Sequence, residues 1–198
     1  MRKGLVFGVL VMLFVATMAS VGIVIADEGE LLVSIKGYSP SLSPDWKKVA
    51  YLDIDEDSGR EQLWVINTDG SDLKKLDEWE HAFGTIQEWS PDGKKVLYFL
   101  DNQEDDTRDL WIVNSDGTGK KRIAKCALSP YVPVSIWSPD GSKIAFESGY
   151  FGEGICVVNS DGSNKILITK YGTLISWTPD GKKIIFFMKI NTFISSGK

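Results

Sequence analysis

The sequence predicts an all-β protein built from repeated four-stranded antiparallel sheets, and two recurring motifs with a regular spacing lead to this prediction. The first motif is Trp-Ser/Thr-Pro-Asp-Gly followed by an apolar run; its full copies occupy residues 89–99, 136–146 and 176–186, after a divergent copy at 42–51. The second is an apolar run ending in Asn-x-Asp-Gly, at residues 63–70, 110–117 and 155–162. The turn prolines are 47, 48 and 40 residues apart. Self-similarity at this period is typical of repeat architectures.

The order of elements follows from these motifs. Residues 31–36 form one short apolar strand, and each repeat then reads strand, Ser-Pro-Asp-Gly turn, strand, variable loop, strand, Asn-x-Asp-Gly turn, strand. The runs between turns are rich in β-branched and aromatic residues, as strands are. Proline presets φ in the first turn. Asp-Gly in the second turn favours a type I′ hairpin, in which both central residues have positive φ. Asp92, Asp140 and Asp180 are therefore expected to be turn formers.

Four strands in 40–48 residues make a unit with the size of a propeller blade, which buries both faces of its sheet only by packing against neighbouring blades. The sequence thus predicts a β-propeller domain over residues 31–198 with about three and a half to four blades. The blades are expected at about residues 37–77, 84–125, 133–169 and, incomplete, 173–198. Three arrangements satisfy this count. The first is a four-bladed ring in which residues 191–195 supply the third strand of the last blade and residues 31–36 the fourth. The others are an open or incomplete array and a ring made by two chains, which would be a homodimer.

The first 26 residues are expected to be a targeting segment. Arg2 and Lys3 precede a run without charge from Gly4 to Ala26. This run predicts a hydrophobic helix, either a signal peptide cleaved after Ala26 or a retained membrane anchor. In both cases the positive residues stay on the cytoplasmic side, so the rest of the chain is expected to be extracytoplasmic, touching a membrane only through this segment.

The repeats resemble the TolB-like propeller repeats, which are WD-like units with a central Pro-Asp. Similar units occur in the propeller domains of tricorn-type and prolyl-oligopeptidase-type peptidases. The resemblance covers about residues 40–187. It implies a β-propeller fold, usually of six or more blades. The motifs are specific for the type of repeat and not for a function.

Composition excludes some functions. The formal charge is −5 and the pI is about 5.0, whereas a nucleic-acid-binding surface is basic. The chain contains one histidine, His81, and lacks a Gly-x-Ser-x-Gly nucleophile motif. No catalytic residue is therefore expected. We expect a binding module, with a detached or truncated propeller domain of a peptidase or hydrolase system as the alternative.

The two motif turns should share one face of the propeller, because alternate turns of a meander lie on the same side. The opposite face, named here the long-loop face, carries the variable loops within and between blades. Binding residues concentrate on such loops, so this face is expected to bind a protein or an envelope component. The candidate contact residues are Trp79, His81, Phe83, Tyr131, Tyr150 and Phe151.

Two further groups have both a functional and a structural interpretation. Asp53, Asp55 and Asp57 alternate as calcium ligands do, but the spacing departs from the EF-hand loop and a solvated acidic loop is the simpler interpretation. No other cofactor is expected. Cys156 occupies the repeat position of Trp64 and Trp111. It is therefore expected in the packing between blades, where Cys126 and Cys156 are either two buried thiols or a disulfide.

Overall fold

A computed structural model of the chain describes residues 10–13, 22–27, 30–80, 82–102, 107–127, 134–148 and 154–188. Every regular element in these ranges is a β strand, and neighbouring strands run antiparallel. Three of the sheets have four strands in sequential order. The structure therefore confirms the all-β prediction and the four-stranded antiparallel sheets, which are consistent with a propeller.

Each four-stranded sheet is one blade. Blade 1 contains β4 (Tyr38–Leu42), β5 (Lys48–Ile54), β6 (Glu61–Asn67) and β7 (Lys74–Trp79). Blade 2 contains β8 (Ala82–Trp89), β9 (Lys95–Asn102), β10 (Thr107–Asn114) and β11 (Lys121–Ala127). Blade 3 contains β12 (Ser135–Trp137), β13 (Lys143–Ser148), β14 (Gly154–Asn159) and β15 (Ile166–Thr169). A terminal hairpin of β16 (Thr173–Trp177) and β17 (Ile184–Phe187) follows.

A three-stranded sheet precedes blade 1. It consists of β1 (Leu10–Leu13), β2 (Gly22–Asp27) and β3 (Glu30–Lys36). The strand predicted at residues 31–36 is thus present as β3, but it pairs with β2 and not with the terminal hairpin, so it does not close a ring in the described chain. Most of the predicted N-terminal helix and the strand predicted at residues 191–195 lie outside the described residues. Nowhere in the described ranges is there a helix with the length and hydropathy to span a membrane.

The two repeated turns share one face, as predicted. In each blade a backbone N–H of the Asn-x-Asp-Gly turn donates to a carbonyl of the Ser-Pro-Asp turn, from Thr68 to Lys47, Ser115 to Lys94 and Ser160 to Ser142, at 2.8 to 2.9 Å. The type I′ prediction is wrong. Gly70 has φ of 84° while Asp69 has a negative φ, and the Gly70 N–H donates to the Asn67 carbonyl. This is a type I turn followed by a left-handed glycine.

Hydrophobic side chains fill the seams between blades because successive residues of a strand point to opposite faces. We call the face toward the preceding blade the leading face and the other the trailing face. In β9, Val96 and Tyr98 pack against blade 1, and Leu97 and Phe99 pack against blade 3. All four side chains are at most 1% exposed. Burying one such side chain contributes about 1.5–3 kcal/mol, so the seams hold the blades together.

The repeated tryptophans and both cysteines lie at these seams. Trp89 and Trp137 are buried, and Trp177 packs partly buried between blade 3 and the hairpin. Trp64 and Trp111 contact the seams but are only partly buried. Cys126 and Cys156 are buried thiols in the seam between blades 2 and 3 and are not joined by a disulfide.

Candidate functional site

The long-loop face lies at the strand ends opposite the repeated turns. Two of its candidate contact residues lie where the end of β7 approaches the start of β8. Trp79 is the last residue of β7, and Phe83 is the second residue of β8. Of the predicted contact residues, these two are described and lie four positions apart. His81, Tyr131, Tyr150 and Phe151 lie outside the described residues.

Trp79 is held by a hydrogen bond and by stacking. Its indole Nε1–H donates to Oε2 of Glu61 at 2.6 Å. Its ring stacks on Tyr98 of blade 2, with centroids 6.0 Å apart and an angle of 16° between the planes. Because the side chain of Trp79 crosses from blade 1 to blade 2, it belongs to the seam as much as to the surface.

Glu61 is the centre of this arrangement. Its carboxylate accepts hydrogen bonds from the Tyr38 hydroxyl, from Trp79, and from the backbone N–H of Gly84 at 2.5 Å. The side chain is buried. Burial raises the pKa of Glu61, against the opposing effect of the hydrogen bonds from Gly84 and Trp79, and the charge of Asp101 raises it further. A buried carboxylate without a cationic contact is costly unless it is fully hydrogen-bonded, which explains these donors.

Gly84 must lack a side chain here. A Cβ placed on it would lie 2.3 Å from Cζ2 of Trp79 and 3.3 Å from Oε2 of Glu61. The indole therefore lies directly over the backbone of β8. The chain at residues 82–84 is consequently pinned beneath Trp79 and Glu61.

Phe83 projects from this pinned segment. Its side chain is 65% exposed, although it is a large aromatic group. An exposed aromatic side chain on a rigid backbone loses little entropy on binding, and aromatic residues are enriched at protein interfaces. Phe83 therefore has the character of a contact residue.

Ion pairs lie at the same strand ends as Trp79 and Phe83, and Asp101 is the register partner of Phe83. Arg60 pairs with Glu80 at 3.1 Å and with Glu78 at 3.6 Å. Arg108 pairs with Asp101 through its Nε and a terminal nitrogen. These three pairs tie neighbouring strands together at the long-loop end. They give the rim of the site a polar character around the apolar Phe83.

The structure does not bring the predicted calcium ligands together. Across the described ranges, no group of three or more His, Cys, Asp or Glu side chains is placed to hold a metal ion. Oδ1 of Asp53 accepts the N–H of Ile54, and Oδ1 of Asp55 accepts both the N–H and the hydroxyl of Ser58. These local bonds fit the interpretation of a solvated acidic loop that organises its own turn.

Sequence reasoning missed Glu61, Tyr38 and Gly84. Glu61 precedes an apolar strand run and resembles an ordinary loop-flanking acid, and the same repeat position in blade 2 is Arg108. The repeat itself thus carries no signal for a buried carboxylate. Gly84 beside an aromatic residue is a weak signal for close approach of a side chain, but only the fold shows which side chain approaches.

Comparisons with known proteins agree with this architecture. The family model of the TolB beta-propeller domain matches residues 27–196. No curated protein matches the chain by sequence. TolB from Acinetobacter baumannii is a similar solved structure, with 19% identity, a TM-score of 0.61 and coverage of 87% of this chain and 44% of that one.

One enzyme and the propeller domain of another are also similar in structure. An oligogalacturonate lyase in complex with manganese shares 18% identity with a TM-score of 0.62, over 84% of this chain and 51% of that one. The β-propeller domain of the Trilobed protease from Pyrococcus furiosus, which has an open velcro topology, shares 20% sequence identity with a TM-score of 0.64. The match covers 88% of this chain and 56% of that one.

These identities show a common fold and nothing finer. The chain spans about half the length of the solved structures it matches. The family model, in contrast, matches most of the chain. This chain therefore belongs to the TolB beta-propeller family.

Proposed function

We propose that this chain is an extracytoplasmic, non-catalytic binding module that recognises a protein partner through the long-loop face. The observation that carries the proposal is Phe83, 65% exposed on a backbone that Trp79 and Glu61 hold in place. An anchor of this kind, surrounded by a polar rim, has the anatomy of a protein-binding hot spot.

The test compares two exposed aromatic residues on opposite faces. Phe83→Ser removes the proposed anchor, and Trp46→Ser removes a side chain that is 55% exposed in a turn of the other face. Purified chain carrying each substitution is used to capture proteins from a cell-envelope extract, and the captured protein is then titrated. We expect Phe83→Ser to weaken its binding at least about tenfold, as the loss of a hot-spot residue does, and Trp46→Ser to leave it unchanged. Equal binding by both variants would contradict the proposal.

The extracytoplasmic location is tested separately. The uncharged run after Arg2 and Lys3 supports export. Protease added outside intact spheroplasts should digest the chain. The intact mass of the purified protein then decides between a cleaved form starting at Asp27 and a retained N-terminus. Protection of the whole chain from external protease would exclude the proposed location.

A second candidate function is that of a propeller domain working with a separate peptidase or hydrolase. The similarity to the propeller domain of the Trilobed protease supports it. The chain alone should then be inactive toward peptides and esters under both proposals. A hydrolase that co-purifies with the chain, and whose substrate range changes when the chain is added, would favour this second candidate. Turnover by the chain itself would contradict both.

A further inference from the structure

The repeated turns, at the strand ends opposite Phe83, carry a charge opposite in sign to that of the rest of the chain. We call this surface the turn face. It consists of the residues after the first strand of each hairpin, up to and including the first residue of the second: 43–48, 68–74, 90–95, 115–121, 138–143, 160–166 and 178–184. These segments contain 11 lysines and 8 aspartates, a net charge of +3. The rest of the chain contains 11 basic and 19 acidic residues, a net charge of −8.

Most aspartates of the turn face are bound within their own turns. Oδ1 of Asp45 accepts the hydroxyl of Ser43 at 2.7 Å and the N–H of Lys47 at 3.2 Å. A hydroxyl of the same turn likewise donates to Oδ1 of Asp69, Asp92, Asp116, Asp140, Asp161 and Asp180. The flexible four-carbon stem of lysine reaches further than the short side chain of aspartate. The lysine cations are therefore the charges that an approaching partner meets first.

Lysines without a partner occur in all three blades. Lys47, Lys121 and Lys143 are exposed, and none of them forms an ion pair with another described residue. They belong to the turns of blades 1, 2 and 3 respectively. Lys120, in contrast, is paired with Asp77 at 2.6 Å. The three unpaired lysines thus spread over the array and do not converge on one point.

Neighbouring turns touch, so the turn face is one continuous surface. A Cβ placed on Gly93 would lie 3.8 Å from Cδ of Pro44 in the preceding blade. One placed on Gly141 would lie 3.6 Å from Cδ of Pro91. These contacts are at van der Waals distance, and they join the turn of each blade to the turn of the next. The lysines are consequently carried on a rigid support.

Trp46 adds an aromatic group to the turn face. Its side chain is 55% exposed, and it is the only exposed one among the seven tryptophans, all of which the structure describes. Its φ of 62° lies in the left-handed region, where the other three turns have glycine. Strained residues of this kind cluster at functional sites. Tryptophan also favours the membrane–water interface, because its ring is apolar and its N–H is polar.

The arrangement of these groups favours a planar anionic partner. A single-stranded nucleic acid is held by cations that follow its backbone along a groove, whereas the unpaired lysines lie on the turns of separate blades. A planar surface reaches all of these turns at once. An anionic phospholipid membrane is such a surface, since it attracts clustered lysines and has an interfacial layer that receives an indole ring.

We propose that the turn face docks on a membrane containing anionic phospholipid, with its lysines against the lipid phosphates and Trp46 inserted at the level of the headgroups. The acidic remainder of the chain is repelled by the same membrane, so docking selects one orientation. The long-loop face then points away from the membrane. The proposal goes beyond the expectation that only the N-terminal segment touches a membrane, and it does not rest on a protein partner at Phe83.

The first test measures binding of the full chain to sedimented vesicles. Vesicles of phosphatidylcholine alone are compared with vesicles in which part of it is replaced by phosphatidylglycerol. Lys47→Gln and Lys143→Gln should each weaken binding to the anionic vesicles about fivefold, the contribution of one cation near such a surface. Lys170→Gln is the matched control and should leave binding unchanged. It removes an exposed lysine between β15 and β16, at the opposite strand ends. The N-terminal apolar run is the same in every variant.

The second test reports the orientation of the chain. Brominated phosphatidylglycerol quenches only tryptophans that touch the bilayer. It should quench a part of the fluorescence that the Trp46→Ser variant lacks, and brominated phosphatidylcholine alone should not. A thermal melt of each variant establishes that it is folded.

Three results would each overturn the proposal. The first is equal weakening of vesicle binding by Lys170→Gln and by the two turn-face variants. The second is the absence of quenching that depends on Trp46. The third is binding to soluble heparin without binding to anionic vesicles, which would identify a linear anionic polymer as the partner.

Discussion

The carboxylate of Glu61 in blade 1 accepts a hydrogen bond from the backbone N–H of Gly84 in blade 2, at 2.5 Å. Each later described seam has an equivalent contact. Glu88 accepts the N–H of Trp137 at 3.0 Å. Glu147 accepts the N–H of Leu174 at 2.6 Å. In each seam a glutamate thus binds the first strand of the next blade.

These contacts have a common physical reason. The first strand of each blade lies at a sheet edge, where the outward N–H groups lack a strand partner, and buried N–H groups need an acceptor. The three glutamates come from different repeat positions, in β6, β8 and β13. The same need for an acceptor at the first strand of the next blade is therefore met from a different repeat position in each seam.

The buried carboxylate of Glu61 predicts an unusual pH dependence of stability. Burial raises the pKa of Glu61 from its ordinary value near 4.5. A raised pKa means that the folded state favours the protonated form, so this contribution to stability is complete below about pH 4.5 and is lost as pH rises through the raised pKa. Glu61→Gln keeps a hydrogen-bonding group but cannot titrate. Urea titrations should show that the free energy of unfolding of the parent, minus that of Glu61→Gln, is larger at about pH 4.5 than at about pH 7. An equal difference at both pH values would contradict this assignment.

The turn aspartates predict the opposite behaviour in acid. Hydroxyl groups of Ser or Thr in the same turn hold the pKa low in Asp45, Asp69, Asp92, Asp116, Asp140, Asp161 and Asp180. For Asp140, hydrogen bonds from Ser138 and Ser142 lower the pKa to about 2. A lowered pKa contributes stability that is present above the ordinary value of 3.8 and is lost as pH falls through about 2. The melting temperature should therefore drop across this window.

Asp140→Asn isolates one of these turns. The amide still accepts a hydrogen bond but does not titrate, so the melting temperature of this variant should fall less steeply than that of the parent between about pH 4 and pH 2. Asp57→Asn, in an exposed loop, serves as the control for the loss of one surface charge. Identical acid profiles for the parent and Asp140→Asn would count against the turn as the origin of the effect.

Gly84→Ala should be destabilising because its Cβ would lie 2.3 Å from Cζ2 of Trp79. Overpacking of this kind costs about 1–3 kcal/mol. In a Trp79→Val background the ring is gone, and the same Gly84→Ala substitution should cost close to nothing. Chemical denaturation of the four chains of this double-mutant cycle measures the coupling between the two positions. Additive effects would show that the close approach of the ring is not the cause.

Trp46→Gly should stabilise the protein. Trp46 has φ of 62° at the position where the other three turns have Gly93, Gly141 and Gly181 with φ of 67° to 69°. A side chain in this left-handed region destabilises the folded state by about 1–2 kcal/mol. Glycine removes this strain, but its larger conformational entropy in the unfolded chain offsets part of the gain. We expect a gain of about 0.5–1 kcal/mol in thermal denaturation. Trp46→Ala keeps a Cβ and should therefore gain less stability than Trp46→Gly. If Trp46→Gly is no more stable than Trp46→Ala, the positive φ is not the cause.

Trp89 and Trp137 form a natural pair for comparison. Both are buried, but Nε1–H of Trp89 donates to the Ser41 carbonyl at 2.9 Å, whereas Nε1 of Trp137 has no hydrogen-bond partner among the described residues. Replacement by phenylalanine removes the same volume at both positions. Trp89→Phe should therefore be more destabilising than Trp137→Phe by about 1 kcal/mol, the value of one hydrogen bond. Equal losses in chemical denaturation would contradict this difference.

The sequence by itself determined the repeat, the order of strands and turns, and the face that the turns share. These features are local. Asp-Gly and Pro-Asp fix the turns. Consecutive residues such as Leu97 and Tyr98 point to opposite sides of a strand, so each faces a different neighbouring blade. The same local pattern could not give the type of the Asn-x-Asp-Gly turn. Asp-Gly occurs both in a type I′ turn and at the end of a type I turn with a left-handed glycine, and the pairing of the flanking strands decides between them.

Only the tertiary structure decided how the seams are completed. Glu61 is a buried acceptor because Gly84, Tyr38 and Trp79 come from other strands to meet it. Phe187 is exposed although Phe99, at the same repeat position, is buried, since among the described residues a following blade covers only Phe99. Sequence patterns report which residues are suited to a contact. Which contacts are made depends on residues that are distant in the chain and close only after folding.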